Sequence, residues 1–302
     1  MKSKKIIIGS RGSKLALIYA ERAKKKLLSF CSEVEIKRIV TDGDINQKDR
    51  LSEIGGKGLF SKKIENELLN KKIDIAVHAL KDMPSEEPEG LLTNCFLERN
   101  DPREVLISNN NNVITNLNTN SVIGTSSLRR EFQLKRIRED LKYKLIRGNV
   151  DTRINKLNDN LYDAIILSYA GIKSLKLNKK ISQIFSIKEV IPSVGQGVVA
   201  LQCRKNDNKI IELLNKINHE KTNICVNAER YFLKVLEGDC ETAVGAFAHI
   251  EENKINLEAE LFSIDGKQRF YHNAKKDIKL SKELGLEVGK ILKKQSNNLY
   301  KR

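Results

Sequence analysis

The 302-residue sequence predicts an α/β protein of two sheet-and-helix lobes followed by a smaller α+β domain. Three observations predict it. Short apolar runs alternate with amphipathic helical stretches in two successive series. Beyond about Glu220 the texture changes to one helix followed by alternating strands. At roughly 150 residues per domain, a chain of this length holds two or three domains.

In order, residues 6–8 read as a strand and 13–28 as a helix turning Leu15, Leu17, Ala20, Ala23 and Leu27 mostly inward. Residues 34–40 form a second strand, 60–69 a helix and 73–77 a third strand. The second series has strands at 105–108, 122–124, 144–146 and 164–167, with helices starting at Ser127 and Asp151. Strands spaced by helices indicate βαβ units and parallel or mixed sheets. The chain passes between the lobes near 99–103 and again near 191–197, and the Asn-rich stretch 109–120 reads as a surface loop with at most a short helix. In the last part, residues 222–236 read as a helix, 254–262 as a strand, and an amphipathic helix follows.

Composition excludes several classes. Apolar residues make up 40% of the chain, too many for a disordered protein, and no apolar run approaches the roughly 20 residues of a membrane span. The opening MKSKKIIIGSRGSK has only three consecutive apolar residues, too few for a secretory segment, so export is not expected. Cys31, Cys95, Cys203, Cys225 and Cys240 form no CxxC pair and are expected as reduced thiols. His78, His219, His249 and His272 lie far apart and suggest no metal site. The net charge of +16 fits either a polyanionic ligand or a lysine-rich background.

Several motifs could carry chemistry. In DIAVHALKDMP, Asp82 follows a buried strand at its carboxyl end, the edge where open α/β sheets bind ligands. Beside Lys81 it could accept protons or hydrogen-bond N–H groups, or it is an ordinary loop or helix-cap charge. In IGTSSLRR, Thr125, Ser126 and Ser127 stand where a helix begins, a ready pocket for carboxylate or phosphate, with Arg129 and Arg130 one turn on. A capped helix with solvated arginines is the plainer reading. LIRGNVDTR repeats the geometry: a strand ends at Ile146, Arg147 follows, and Arg153 lies in the next helix. GSRGSKLAL places Arg11 and Ser13 after the first strand in the same way. Arginines at three strand ends favour an anion-lined cleft. GGKGLF, preceded by the polar DGDINQKDRLSE, reads as a mobile lid or a plain surface loop, and its glycines match no phosphate-binding fingerprint. LEGDCETAVGA places Cys240 in a turn between Asp239 and Glu241, whose charges disfavour a thiolate.

Taken together, GSRGSKLAL, GGKGLF, DIAVHALKDMP, IGTSSLRR, LIRGNVDTR, YDAIILSYAGI, IPSVGQG and LEGDC resemble, in order, the hydroxymethylbilane synthase (porphobilinogen deaminase) family. The likeness runs from about Lys5 to about Ile264. It implies two lobes like those of solute-binding proteins, here 1–98 with 197–216 and 103–191, and a third domain at 220–302. That domain carries the cofactor, a dipyrromethane made from two substrate units and bound through a thioether, here to Cys240. The resemblance makes Asp82 the catalytic carboxylate. Lys81, Thr125, Ser126, Ser127, Arg129, Arg130 and Arg153 would bind the cofactor. Arg11, Ser13, Phe60, Arg147, Gln196 and again Arg153 would contact the incoming or growing pyrrole chain.

The implied activity is a transferase that deaminates and condenses four porphobilinogen molecules and releases linear hydroxymethylbilane for haem synthesis. Four substrate units carry eight carboxylates, which matches arginines at several strand ends. The resemblance also implies hinge motion of the lobes, a cytoplasmic monomer, and no metal, nucleic acid or membrane partner. Two positions depart from the family pattern: Ser174 stands where arginine is common, and Asp239 where a second glycine usually precedes the cysteine. A non-catalytic two-lobed anion-binding protein is the alternative. A nucleic-acid binder fits less well, because aromatic stacking platforms and concentrated basic runs are missing from the sequence.

Overall fold

The computed structural model describes residues 5–45, 58–238 and 242–301. The chain divides into two compact units, Met1–Asn100 with Val198–Val226 and Asp101–Gly197 with Asn227–Arg302. The first unit opens with β1 (Ile6–Arg11), α1 (Lys14–Leu27), β2 (Val34–Ile39), α2 (Asp42–Ile45), α3 (Lys62–Leu69), β3 (Ile75–Ala79) and β4 (Leu91–Phe96). The second begins with β5 (Glu104–Ser108), β6 (Val122–Gly124), α4 (Leu128–Ile137), β7 (Lys142–Lys144) and α5 (Val150–Asn158). It continues with β8 (Ala164–Ser168), α6 (Tyr169–Ser174) and β9 (Gln183–Ile184). The chain returns to the first unit as β10 (Val199–Arg204) and α7 (Asn208–Asn215), and α8 (Glu220–Leu236) runs through the division. Strands β11 (Val244–Glu251), β12 (Lys254–Phe262) and β13 (Arg269–Asp277) and helix α9 (Ser281–Ser296) complete the second unit.

The first unit is built on a five-stranded sheet in the order β2-β1-β3-β10-β4. Strands β1, β2 and β3 are parallel, while β10 runs antiparallel to both β3 and β4. Alternation along β1 sends Ile6 and Ile8 to one face, under α1 and α7, and Ile7 to the other, with Ile64 and Leu68 of α3. Helix α1 starts where Ser13 accepts a hydrogen bond from the Ala16 amide at 3.3 Å, and its last turn carries Lys24, Lys25 and Lys26, which suit the negative end of the dipole. Tyr19, rather than the half-buried Leu17, takes the inward place on this helix.

The second unit holds two sheets. One has the order β7-β6-β8-β5-β9, with β6, β7 and β8 parallel and β5 antiparallel to β8 and β9. Leu134 of α4 packs on one face, and Ile154 and Leu157 of α5 on the other. The stretch expected as a polar loop, 109–120, is pinned: Ile114, 1% exposed, and Leu117 enter the core around the turn Ile114–Asn116. Strand β7 also corrects the expected 144–146. It ends at Lys144, because its partner β6 ends at Gly124, and the Leu145 carbonyl accepts a hydrogen bond from the Tyr162 hydroxyl at 2.7 Å instead of joining a ladder.

The other sheet is the antiparallel meander β11-β12-β13, packed against α9. Helix α9 meets α8 closely at Gly285, where a Cβ would lie 2.2 Å from the Ala228 carbonyl oxygen. Backbone cannot yield as a flexible side chain does. Gly285→Ala is therefore expected to destabilise the protein by about 1–3 kcal/mol, read as a lower urea midpoint with an unchanged slope. No disulfide joins Cys31, Cys95, Cys203 and Cys225 to one another, and all four are buried. Among the described residues no helix is long and apolar enough to cross a membrane.

Candidate active site

In the first unit, the carboxyl ends of β1 and β3 open onto a cleft lined by Arg11, Ser13, Phe60, Ser61, His78 and Asp82, among others. Past β3 the chain makes one 3-10 turn, Leu80–Asp82, anchored by the Leu80 amide on the Val198 carbonyl at 3.0 Å. That turn presents Asp82 with its side chain 34% exposed, so the carboxylate remains open to a ligand.

Arg11, the last residue of β1, is held on three sides. Its Nε and Nη2 donate to Asp44 Oδ1 at 3.1 and 2.5 Å, and its guanidinium lies 4.1 Å from the centre of the Phe60 ring. Its Nη1 stands 3.8 Å from Asp82 Oδ2, an ion-pair distance rather than a hydrogen bond. Asp44 also accepts from the Thr41 amide and hydroxyl. Burial pushes the Asp44 carboxyl up, but the hydrogen bonds from Arg11 and Thr41 outweigh it and hold the group below its usual range. Gly43 permits this arrangement, since a Cβ there would come within 2.2 Å of the Phe60 ring. Ser13 uses its hydroxyl to cap α1.

Behind the cleft runs a buried polar chain. Ser61 Oγ donates to Glu65 Oε2 at 3.1 Å, Gln202 Nε2 donates to Glu65 Oε1 at 3.4 Å, and Gln202 Oε1 meets His78 Nε2 at 3.3 Å. Burial raises the Glu65 carboxyl, opposed by its bonds from Gln202 and Ser61. Burial lowers His78 to about 4; Gln202 opposes that shift, and the charge of Arg11 adds to it.

In the second unit, Thr125 follows β6 and Ser127 caps α4 by accepting from the Arg130 amide at 3.4 Å. Thr125 Oγ1 accepts from the Ser127 amide, and Ser126 is exposed. Arg129 and Arg130 are both buried against Glu104, which is 0% exposed and takes Arg129 Nη2 at 2.6 Å and Arg130 Nη2 at 2.8 Å. Arg129 Nη1 also donates to the Ile191 carbonyl, and Arg130 Nη1 to that of Ile166. Arg153 donates to the Gly148 carbonyl at 2.8 Å. Gln196 is 0% exposed, with its amide nitrogen on the Pro102 carbonyl at 2.6 Å.

Arg147 differs from its neighbours. It is 7% exposed, its Nε has no hydrogen-bond partner among the described residues, and burial alone pushes its guanidinium down. A buried cation with no carboxylate beside it among the described residues is costly, so such a group suits an incoming anion.

Arg11, Ser13, Phe60, Lys81 and Asp82 thus belong to the first unit, and Thr125, Ser126, Ser127, Arg129, Arg130, Arg147, Arg153 and Gln196 to the second. Cys240, Asp239 and residues 46–57 of the expected lid lie outside the described residues. Sequence reasoning missed Asp44, Glu65, His78, Glu104 and Gln202. His78 sits inside a quoted motif, but nothing in the strand pattern marks its partner 124 residues away. Glu104 reads locally as one more charge beside Arg103.

Fold and chemistry together define a class: an α/β protein with a carboxylate, Asp82, partly exposed in a cleft of its first unit and a buried guanidinium, Arg147, in its second. The profile described as "Porphobilinogen deaminase, dipyromethane cofactor binding domain" matches residues 6–212, and "Porphobilinogen deaminase, C-terminal domain" matches 223–294. The chain is 42% identical over 296 residues to the porphobilinogen deaminase of Staphylococcus epidermidis, covering 97% of this chain and 96% of that one. It is 42% identical over 291 residues to the Rickettsia typhi protein of the same name, covering 95% and 97%. The chain belongs to the porphobilinogen deaminase family. Among solved structures, the Bordetella pertussis BvgS periplasmic VFT2 domain matches with a TM-score of 0.44 and 13% identity, covering 70% of this chain and 85% of that one.

Proposed function

We propose that this chain deaminates porphobilinogen, joins four molecules head to tail on a dipyrromethane carried by Cys240, and releases linear hydroxymethylbilane. The observation that carries the reading is Asp82, partly exposed in a cleft beside a guanidinium held in place by Asp44 and Phe60. The residues present suit the cofactor, whose carboxylate arms and pyrrole N–H groups need cations and an acceptor. Hydroxyls cluster at the start of α4, with Arg129 and Arg130 buried in its first turn. When bound, the dipyrromethane supplies the nucleophilic ring carbon from which the product grows.

Asp82 accepts a pyrrole N–H from the substrate and offsets the positive charge that develops as ammonia leaves the aminomethyl group. It then takes the proton lost from the coupled ring carbon. Arg11 turns Nη1 towards substrate carboxylate while Asp44 occupies its other edge. Arg147 and Arg153 take further carboxylates of the growing product. Lys81, Thr125, Ser126, Ser127, Arg129 and Arg130 are assigned to the cofactor, with Glu104 fixing the two arginine forks. Gln196 and Ser13 act by holding backbone beside these groups. Porphobilinogen is the small-molecule partner, and the protein works as a cytoplasmic monomer.

Purified protein incubated with porphobilinogen is expected to release ammonia and a linear tetrapyrrole. Intact-mass analysis should find an adduct of two linked pyrroles on the Cys240 peptide. A bare thiol in turning-over protein overturns the tethered primer, and binding without ammonia release would favour the non-catalytic anion-binding alternative.

A further inference from the structure

His78 is the fourth residue of the five-residue strand β3, and it lines the same cleft as Asp82 and Arg11. Its Nε2 is turned inward to Gln202, which sits on the neighbouring strand β10 and is 0% exposed. The direction of hydrogen bonding along this chain follows from its far end. An ionised Glu65 only accepts, so Ser61 Oγ and Gln202 Nε2 must both be donors to it. That orientation of the Gln202 amide leaves its oxygen, an acceptor, against the imidazole. Nε2 of His78 therefore carries the hydrogen, and in the neutral ring Nδ1 is a bare acceptor. Nδ1 is also the only polar side-chain atom His78 has left for the cleft.

The ring stays neutral for a physical reason. Protonation would place a second cation near Arg11 on a buried side chain, which is why burial and Arg11 both lower its affinity for a proton. The charged groups facing it are Arg11 and Asp82 in the cleft, and Glu65 through Gln202.

We propose that His78 is a substrate-contacting residue whose bare Nδ1 accepts a nitrogen-bound hydrogen of the pyrrole substrate, with Gln202, Glu65 and Ser61 as positioning residues that fix its tautomer. This rests on the porphobilinogen reading above. Two acceptors then share the work. Asp82 brings charge where a cation develops, and His78 orients the ring without adding charge. Because Ser61 follows Phe60 directly, the polar chain also ties the aromatic residue stacked on Arg11 to the strand that carries His78.

The test uses the loaded protein labelled with ¹⁵N-histidine. His78 is expected to show a pyridine-type Nδ1 and a pyrrole-type Nε2, neutral from about pH 8 down to about pH 5 given its value near 4. Saturating porphobilinogen should move the Nδ1 signal. His78→Phe should raise KM roughly tenfold with a smaller change in kcat, while His78→Asn, whose amide reaches the Nδ1 position, should restore KM to within about threefold. Glu65→Gln lets the chain run either way and should give mixed tautomers with an intermediate KM. A hydrogen on Nδ1, the tautomer that a reversed chain would give, overturns the proposal. So does an Nδ1 signal unmoved by substrate, or wild-type KM in His78→Phe, in protein that turns porphobilinogen over. A wild-type protein that releases no ammonia from porphobilinogen fails the functional reading itself, and the proposed contact falls with it.

Discussion

Asp82→Asn is expected to lower kcat by about 10²- to 10⁴-fold, the range for removing a positioned acid–base group. The substitution keeps the shape of the side chain and its ability to accept one hydrogen bond. It removes the charge that offsets the cation formed as ammonia leaves, and the basicity that takes the ring proton. Stability should scarcely change. The 3.8 Å contact to Arg11 is an ion pair with a third of the Asp82 side chain exposed, and such pairs contribute about 0–1 kcal/mol. Single-turnover ammonia release and a thermal melt check both halves of this expectation. Cofactor loading should survive in part, detectable as some adduct on Cys240. A variant with near-normal kcat would remove Asp82 from its role.

The largest loss of stability is expected at Glu104. Its single negative charge is shared by Arg129 and Arg130, both buried, at 2.6 and 2.8 Å. Glu104→Ala strands two guanidinium groups in a water-poor interior, where breaking one buried pair costs about 3–5 kcal/mol. The urea midpoint should fall accordingly. Glu104→Gln should be milder, since an amide oxygen still accepts from one fork. A Glu104→Ala protein as stable as wild type would mean that the arginines find other partners or water.

Much of the architecture is legible locally. Ser13 and Ser127 begin helices because a hydroxyl can satisfy amides two or three residues on, and both do so. The β1, β3, β6 and β8 runs are apolar enough to be read as buried strands. The lengths of strands are another matter. Strand β7 stops at Lys144 because its neighbour stops, and the β10 strand is inserted between β3 and β4 from more than 100 residues along the chain. No local pattern encodes either fact.

The candidate site divides the same way. Asp82, Arg11 and Cys240 stand out in motifs because residue type and spacing relative to strand ends are properties of neighbouring positions. The electrostatic state of each group is not. Arg129, Arg130 and Arg147 look alike as letters, yet two share the carboxylate of a glutamate 25 and 26 residues away and the third lies buried with its Nε unpartnered among the described residues. Desolvation and pairing depend on which distant groups folding brings within about 4 Å. That is why chain order announces the chemistry of this protein, while the choice among its cations, acceptors and tautomers exists only in three dimensions.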